Sequence, residues 1–541
     1  MKNWNDIYPR PSLKRDGYMI LNENWKVNGE PKGAPWNELR SDDTLSYEVT
    51  FDTGDFPLHE GKRMRLNFGA VDQLCEIRVN GFEAGWHEGG YLPFSLDISD
   101  YLKDGENTIY VDVTDELSTD YPYGKQCLKP HGMWYTPVSG IWQPVWLEEV
   151  PDHHVIESVR TTPDLKGTDI EVVTDAPSYI LSYMDGDEEM TLRCSDRHVR
   201  IDLKYPHIWT PDDPYLYQLV ISTDTDRIET YFALRTTGTI ERNGRKYFML
   251  NGEPVFLNGV LDQGYFSDRF LPEDPEEYER DILRLKSLGF NMLRKHIKVE
   301  PEVFYHYADM HGMLVIQDMV NSGKYSFMRD TVIPTFLTKK LKERKPSKRD
   351  RYRRAFFEKH MLETVRHLCS HPSVIGWTIF NEGWGQFDSD RMYETLRRED
   401  PSRFIDTCSG WFENERTDCD SRHIYFRTPV LKDPKKGKVL FLSECGGYTR
   451  SLDMNGGRKT YGYGKAGDEK GLTDMIAGLY EKMVLPSIEN GLSGVVYTQI
   501  SDVEGEINGI WSSDRKVLKA DGDRLRKLFI KVYERFEEKI R

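Results

Sequence analysis

Apolar and polar residues alternate with a period of two through the first third of the chain. The segments 45–53, 62–71, 74–86, 94–99 and 107–115 follow this pattern, and Asn80-Gly81, Gly89-Gly90 and Asp104-Gly105 break it. Such alternation buries one face of a strand and wets the other, and short strands at this spacing predict a β-sandwich. From about Pro151 to Thr237 the strands continue with more polar spacers, at 170–175, 178–186, 198–203 and 216–224. Their length and turn density fit one immunoglobulin-like sandwich. Trp209, set among Pro206, Pro211 and Pro214, reads as a bent corner packed on a neighbour.

After Phe248 the pattern changes. Strand-like runs at 254–261, 291–296, 314–319, 374–380, 403–410, 423–426, 439–442 and 494–501 alternate with helix-like runs at 275–289, 301–312, 356–370, 392–400, 473–491 and 523–540. Ile282, Leu285 and Leu288 fall on one helical face with Leu283 at its edge; Leu525, Leu528, Ile530 and Val532 make a looser one. Eight strands alternating with helices over this length predict a (β/α)8 barrel. The chain therefore divides into a sandwich over 1–150, a second over 151–238 and a barrel over 239–541.

A barrel of this kind collects its chemistry at the C-terminal ends of its strands. The apolar run Val374, Ile375, Trp377, Ile379 and Phe380 ends in Asn381 and Glu382, followed by Gly383, Trp384 and Gly385. A carboxyl at the mouth of a buried strand, with an indole beside it, is partly desolvated, which raises its pKa toward what a general acid needs. A second run, Val439 to Leu442, ends in Ser443, Glu444, Cys445, Gly446 and Gly447. Two acids on parallel strand ends can face each other across a sugar, and a separation of roughly 5 to 5.5 Å makes one a nucleophile and the other an acid/base. The remaining polar residues at strand ends are Asp262, Gln263, Arg294, His296, Asp318, Trp411, His423, Tyr425, Gln499, Asp502 and Glu504. Any one of them could be an ordinary loop residue; a ring of them marks a site.

Composition narrows the function. A net charge of -16 over 541 residues, with a pI near 5.5, argues against a general phosphate-binding surface, so no nucleic-acid partner is expected. The basic run from Lys339 to Arg354 has few aromatics to stack on bases and reads as a solvated loop entering a helix. The seven cysteines are scattered, odd in number and lack CxxC spacing, which disfavours a disulfide framework or a thiolate zinc site. The first residues have no apolar leader and no run is long enough to span a bilayer. The expectation is a cytoplasmic chain with no membrane partner, and the sequence leaves a homo-oligomer open.

The segments NGVLDQG, GFNMLRKH, GWTIFNEGWG, CSGW, LSECGGY and TQISDVEGEINGIWSSDR, with VNGFEAGWHEGGYLPFSLDIS and GMWYTPVSGIWQPVWLEEV in the first domain, resemble glycoside hydrolase family 2 over the whole chain. This is the family of β-galactosidases, β-glucuronidases and β-mannosidases. The resemblance implies a jelly-roll sugar-binding domain, an immunoglobulin-like sandwich and a catalytic barrel acting on a carbohydrate without a cofactor. It also implies Glu382 as acid/base, Asn381 as the holder of the sugar 2-hydroxyl and Glu444 as nucleophile, with Tyr425 and Arg294 hydrogen-bonded to Glu444. Glu444 would attack the anomeric carbon while Glu382 protonates the departing oxygen; water then releases the sugar with retained configuration. Trp411 would offer an apolar face to the sugar ring and His296 a hydroxyl contact.

Departures from the family pattern bear on the substrate. Residues Leu261, Asp262, Gln263 and Gly264 stand where many members have a basic-His-acidic triplet. Ile507, Asn508, Gly509 and Ile510 stand where β-glucuronidases grip the substrate carboxylate with Asn-x-Lys. An anionic sugar without a cation is costly to desolvate, which favours a neutral, β-galactosidase-like substrate. Gln317-Asp318-Met319 replaces the acidic-His pattern that holds magnesium in large β-galactosidases, so no metal is expected; Tyr497-Thr498-Gln499 stands where the family often has Trp. The rivals are another family 2 glycosidase, a noncatalytic carbohydrate-binding scaffold and a metal-dependent barrel hydrolase.

Overall fold

The computed structural model describes residues 3–35, 44–267, 269–336, 341–343, 347–434, 437–452 and 460–541. The first domain is a sandwich of two antiparallel sheets. One is four-stranded, in the order Tyr18–Ile20, Val145–Pro151, Lys62–Phe68, Phe94–Asp97; the other is six-stranded and centred on Thr44–Asp52 and Glu106–Thr114. The strand Thr44–Asp52 alternates strictly, with Leu45, Tyr47, Val49 and Phe51 buried and the residues between them facing out. A second, smaller sandwich packs Ile156–Pro163, Gly167–Thr174 and His198–Asp202 against a four-stranded sheet that includes Tyr179–Asp185 and Tyr217–Ser222. Trp209 is fully buried and its indole donates to Asp309 O at 2.9 Å, which fastens this sandwich to the barrel.

The barrel strands are Leu257–Asp262, Met292–Lys295, Leu314–Asp318, Val374–Asn381, Phe404–Ser409, Cys419–Ile424, Val439–Gly446 and Leu492–Thr498, numbered one to eight below. They pair in parallel from strand six through seven, eight, one, two, three and four to five. Between five and six, side chains take over: Ser421 bonds to Asp406, and Ser409 Oγ lies 3.0 Å from His423 Nε2. Every residue of strands four and seven is buried, as their unbroken apolar runs predict for strands covered on both faces. Strand six begins four residues earlier than its apolar segment suggests, because the polar run from Asp420 to His423 is stretched along the barrel wall; Tyr425 falls just past its end.

On the helix Glu276–Leu288, Ile282, Leu285 and Leu288 face the core and Leu283 is 45% exposed. The final helix, Gly522–Ile540, departs from expectation. Ile530 is 48% exposed, and Leu525, Leu528, Phe529, Val532 and Phe536 make the buried stripe. The basic run lies partly outside the described residues; its end starts the helix Arg351–Leu368. The first domain and the barrel share one apolar cluster, in which Tyr91, Tyr123, Tyr135 and Trp142 join barrel residues such as Phe270 and Trp384. That shared core carries a loop of the first domain over the open end of the barrel. Among the described residues no helix is long and apolar enough to cross a membrane.

Candidate active site

Strand four delivers Glu382 through an abrupt turn. The backbone N–H of Glu382 donates to Ser409 O at 2.9 Å, and the residue itself adopts a left-handed φ of +54°, an unusual conformation for a side chain of this size. Gly383 follows at φ +74°, where an added Cβ would lie 2.2 Å from the Phe412 ring, so only glycine lets the chain double back. Beyond it the Trp384 indole donates to Gly323 O at 2.8 Å and packs edge-on to Tyr123, Trp134 and Tyr325. The Trp134, Tyr325 and Trp384 rings line the same cleft as the Glu382 carboxyl and form its aromatic wall.

Strand seven delivers Glu444 to the same cleft, whose lining includes both acids. A carboxylate oxygen of each acid and a ring nitrogen of His423 lie within 4.8 Å of one another. Their environments differ sharply. Burial pushes the Glu444 carboxyl up, but His423, the buried Arg294 guanidinium, His296 and the Tyr425 hydroxyl outweigh it and hold the group down at about 2. Arg294 Nη1 donates to Glu444 Oε1 at 3.0 Å, and Tyr425 OH donates to Oε2. Glu382 has no such cation in contact, so burial prevails and its pKa is raised, with the Glu444 charge adding to the effect and His423 opposing it. Neighbouring acids driven apart in this way take opposite roles: one stays ionised, the other holds a proton.

The other sequence-predicted residues sort into two layers. Asn381, Gln263, His296 and Tyr425 line the cleft. Arg294 Nη2 donates to Asn381 Oδ1 at 2.9 Å, which orients the amide so that its NH2 remains for a ligand. Gln263 Nε2 is buried and has no partner among the described residues, a donor awaiting an acceptor. His296 Nδ1 meets Asp318 Oδ2 at 2.7 Å, leaving Nε2 toward the cleft; burial, reinforced by Lys125, lowers its pKa to about 4, so the ring is neutral.

Asp318 and Arg294 lie behind this layer as supports: Asp318 Oδ1 accepts from Arg294 Nε at 3.0 Å. Asp262 does not line the cleft; its carboxylate is bound to Lys295 Nζ at 2.6 Å and to Gly264 N at 2.8 Å. Gln499 is likewise buried behind the cleft, donating to Asn508 Oδ1 at 2.8 Å. Trp411 is not among the residues that line the cleft; its indole donates to His423 O at 3.2 Å and its ring stands edge-on to the imidazole at 5.6 Å. His423 sits beneath Glu382, with Nδ1 2.8 Å from Oε1.

Several lining residues are not among the strand-end candidates, because they come from outside the barrel strands. Lys125, Met133 and Trp134 come from the first domain, Tyr325 from the loop after strand three, Tyr463 from the loop after strand seven and Glu506 from the loop after strand eight. Glu506, rather than Glu504, reaches the cleft; Glu504 caps Thr136 N at 2.7 Å. Lys125 sits on an anchored loop: Tyr123 N and OH bond to Asn321 O and Gly323 O, and Gln126 bonds to Asp72 and Val138. Among the described residues its ammonium makes no ion pair and lies 6.0 Å from the Tyr135 ring centre.

Glu382, His423 and Glu444 are close enough to hold a metal ion. The donor set fits one poorly. Both Glu444 oxygens already accept hydrogen bonds, and the buried Arg294 guanidinium would stand beside the cation.

Three family models match the chain: glycosyl hydrolases family 2, sugar binding domain, over residues 35–151; glycosyl hydrolases family 2 over 157–235; and glycosyl hydrolases family 2, TIM barrel domain, over 242–435. Among curated proteins, the β-galactosidase of Priestia megaterium is 26% identical over 419 residues, 69% of this chain and 38% of its own length. A putative β-glucuronidase of Formosa agariphila is 23% identical over 418 residues, 70% of this chain and 45% of its own. The chain thus spans less than half of each of these relatives. Among solved structures, the β-D-glucuronidase of Dictyoglomus thermophilum superposes with a TM-score of 0.75 at 20% identity, covering 97% of this chain and 98% of that one. A GH2 β-galacturonidase of Eisenbergiella tayi bound to galacturonate gives 0.68 at 17% identity, covering 96% and 98%.

Proposed function

Because the chain belongs to glycosyl hydrolase family 2, we propose that it is a retaining, exo-acting β-glycosidase that removes a terminal sugar through a covalent glycosyl-enzyme. The observation that carries this reading is the Glu382–Glu444 pair: two acids in one cleft, one held low by Arg294 and Tyr425, the other raised by burial. Ionised Glu444 attacks the anomeric carbon as protonated Glu382 passes its proton to the leaving oxygen. Water, deprotonated by Glu382, then displaces Glu444 with retention. Asn381, Gln263 and His296 Nε2 supply hydroxyl contacts, and the wall of Trp134, Tyr325 and Trp384 supplies apolar faces on the Glu382 side.

The test is a panel of nitrophenyl β-glycosides. Hydrolysis by the parent, its abolition in Glu444→Gln, and azide rescue of Glu444→Gly to an α-glycosyl azide are expected. A parent inert on every glycoside that still binds sugars would favour the noncatalytic reading instead.

The sequence favours a neutral sugar because strand eight lacks a lysine, and Ile510 at that place is buried. Lys125 favours a second reading. It brings into the cleft from another domain an ammonium that makes no ion pair among the described residues, which offsets the cost of desolvating a uronate carboxylate. The relatives named β-glucuronidase and β-galacturonidase are consistent with that reading. A glucuronide and a galacturonide in the panel, beside the galactoside, mannoside and arabinoside, decide between the two.

A further inference from the structure

His423 belongs to no part of the mechanism above, yet it touches Glu382. Its side chain has no solvent exposure; Nδ1 lies 2.8 Å from Glu382 Oε1 and 3.6 Å from Glu444 Oε2, and Nε2 lies 3.0 Å from Ser409 Oγ. The hydrogens along this chain can be assigned from its far end. Ser443 Oγ donates to Arg422 O at 3.4 Å. Ser409 Oγ donates to Ser443 Oγ at 2.9 Å. With its hydrogen engaged, Ser409 can only accept from the ring, so Nε2 carries the imidazole hydrogen.

In a neutral imidazole the other nitrogen is then a bare lone pair. An ionised carboxylate also offers only lone pairs, so the 2.8 Å contact between Nδ1 and Oε1 requires a proton between them. We infer that Glu382 and His423 hold one proton in common, and that this pair, with His423 as the positioning residue, is the acid/base unit. The inference rests on the reading of Glu382 as the acid/base.

The shared proton gives each half-reaction its direction. In the first step it passes through Glu382 to the glycosidic oxygen as that oxygen leaves with the C1–O bonding electrons and Glu444 bonds to C1. The carboxylate now faces the Nδ1 lone pair, an opposition that only a new proton relieves. In the second step, water bonds to C1, its proton goes to the pair, and the C1–Glu444 bond breaks with its electrons returning to Glu444. Charge and protons end where they began.

Other groups around the ring bias where the proton rests. Glu444 on strand seven favours retaining it, Arg294 on strand two partly neutralises that charge, Tyr425 bonds to Glu444, and Lys125 faces Glu382 from the first domain. Trp411 covers the imidazole.

His423→Asn and His423→Gln test the pair, with thermal melting to check folding. On alkyl or weakly activated aryl glycosides, which need a proton for departure, kcat/KM is expected to fall by about tenfold or more. On a 2,4-dinitrophenyl glycoside, which leaves unaided, it should stay within about threefold, and the basic limb of the pH profile should move. An equal loss on both leaving groups with an unmoved profile would overturn the proposal. A second readout needs no activity: 15N-histidine NMR, with His423 assigned by the signal missing in H423N. Protonated Nε2 is expected, with Nδ1 becoming fully unprotonated in Glu382→Gln; a ring bearing hydrogen on Nδ1 and a bare Nε2 would overturn the pair. Hydrolytic inactivity of the parent on all glycosides would instead sink the glycosidase reading, so the two failures are separable.

Discussion

Arg294 Nη1 stands 3.0 Å from Glu444 Oε1, and its guanidinium has no solvent exposure at all. The same side chain bonds to Asp318 and Asn381, so one buried cation on strand two sets the charge of the nucleophile, orients the amide beside it and braces a third strand. Removing it strands two carboxylates in a dry site. Arg294→Met should destabilise the fold by about 3 to 5 kcal/mol, readable by denaturant unfolding.

Tyr425→Phe isolates the electrostatic part of that role without emptying the core. It deletes one hydrogen bond to Glu444 Oε2. The Glu444 pKa, held near 2, should rise, so the carboxylate protonates at higher pH and the acidic limb of the kcat/KM profile should shift upward. A loss of roughly tenfold in kcat/KM is expected, the size of one hydrogen bond to a charged group. An acidic limb that stays in place would show that the hydroxyl does not tune this group.

The two acids should also leave opposite marks on stability. Glu444 is depressed below its ordinary value of 4.5, so its contribution is fully present above that value and is lost as the pH falls through about 2. Glu382 is raised, so it favours the fold below its ordinary value, and that contribution is lost as the pH rises through its folded value. Glu382→Gln should therefore melt higher than the parent at pH 8, and the gain should shrink at pH 4. Melting curves at the two pH values check the sign.

Lys125→Met separates the two sugar readings. If the ammonium pairs with a substrate carboxylate, KM for a glucuronide or galacturonide should rise about tenfold to a hundredfold, the worth of one charge-assisted hydrogen bond. Hydrolysis of a neutral galactoside should change by no more than about twofold. An equal effect on both would assign Lys125 to the architecture of the loop rather than to the substrate.

Exhaustive dialysis against EDTA should leave activity unchanged. The Glu382, His423 and Glu444 cluster is compact enough for an ion, but its donors are engaged by Arg294, Tyr425 and each other. Loss of activity restored by a divalent cation would revive the metal-dependent alternative.

The architecture and the two acids were legible in the chain because they depend on local periodicity. Alternation of two, the switch to strand and helix repeats after Phe248, and the placement of Glu382 and Glu444 at the ends of apolar runs all follow from which side chains must leave water. Ring membership at the barrel mouth was legible too, but depth was not. Asp262, Gln499, His423 and Trp411 sit near strand ends as expected, yet they lie behind the cleft, because each is engaged by a neighbour (Lys295, Asn508, Glu382 and the His423 carbonyl, respectively) that strand periodicity does not report.

Only the tertiary structure decided what the first domain contributes. Lys125 and Trp134 reach the cleft because Tyr91, Tyr123, Tyr135 and Trp142, all more than two hundred residues before either acid in sequence, bury themselves in a core shared with the barrel. Strand patterns report burial, not the partner that provides it. The chain by itself determined that two acids would stand at the mouth of a barrel; the docking of one domain on another decided which charges and rings surround them.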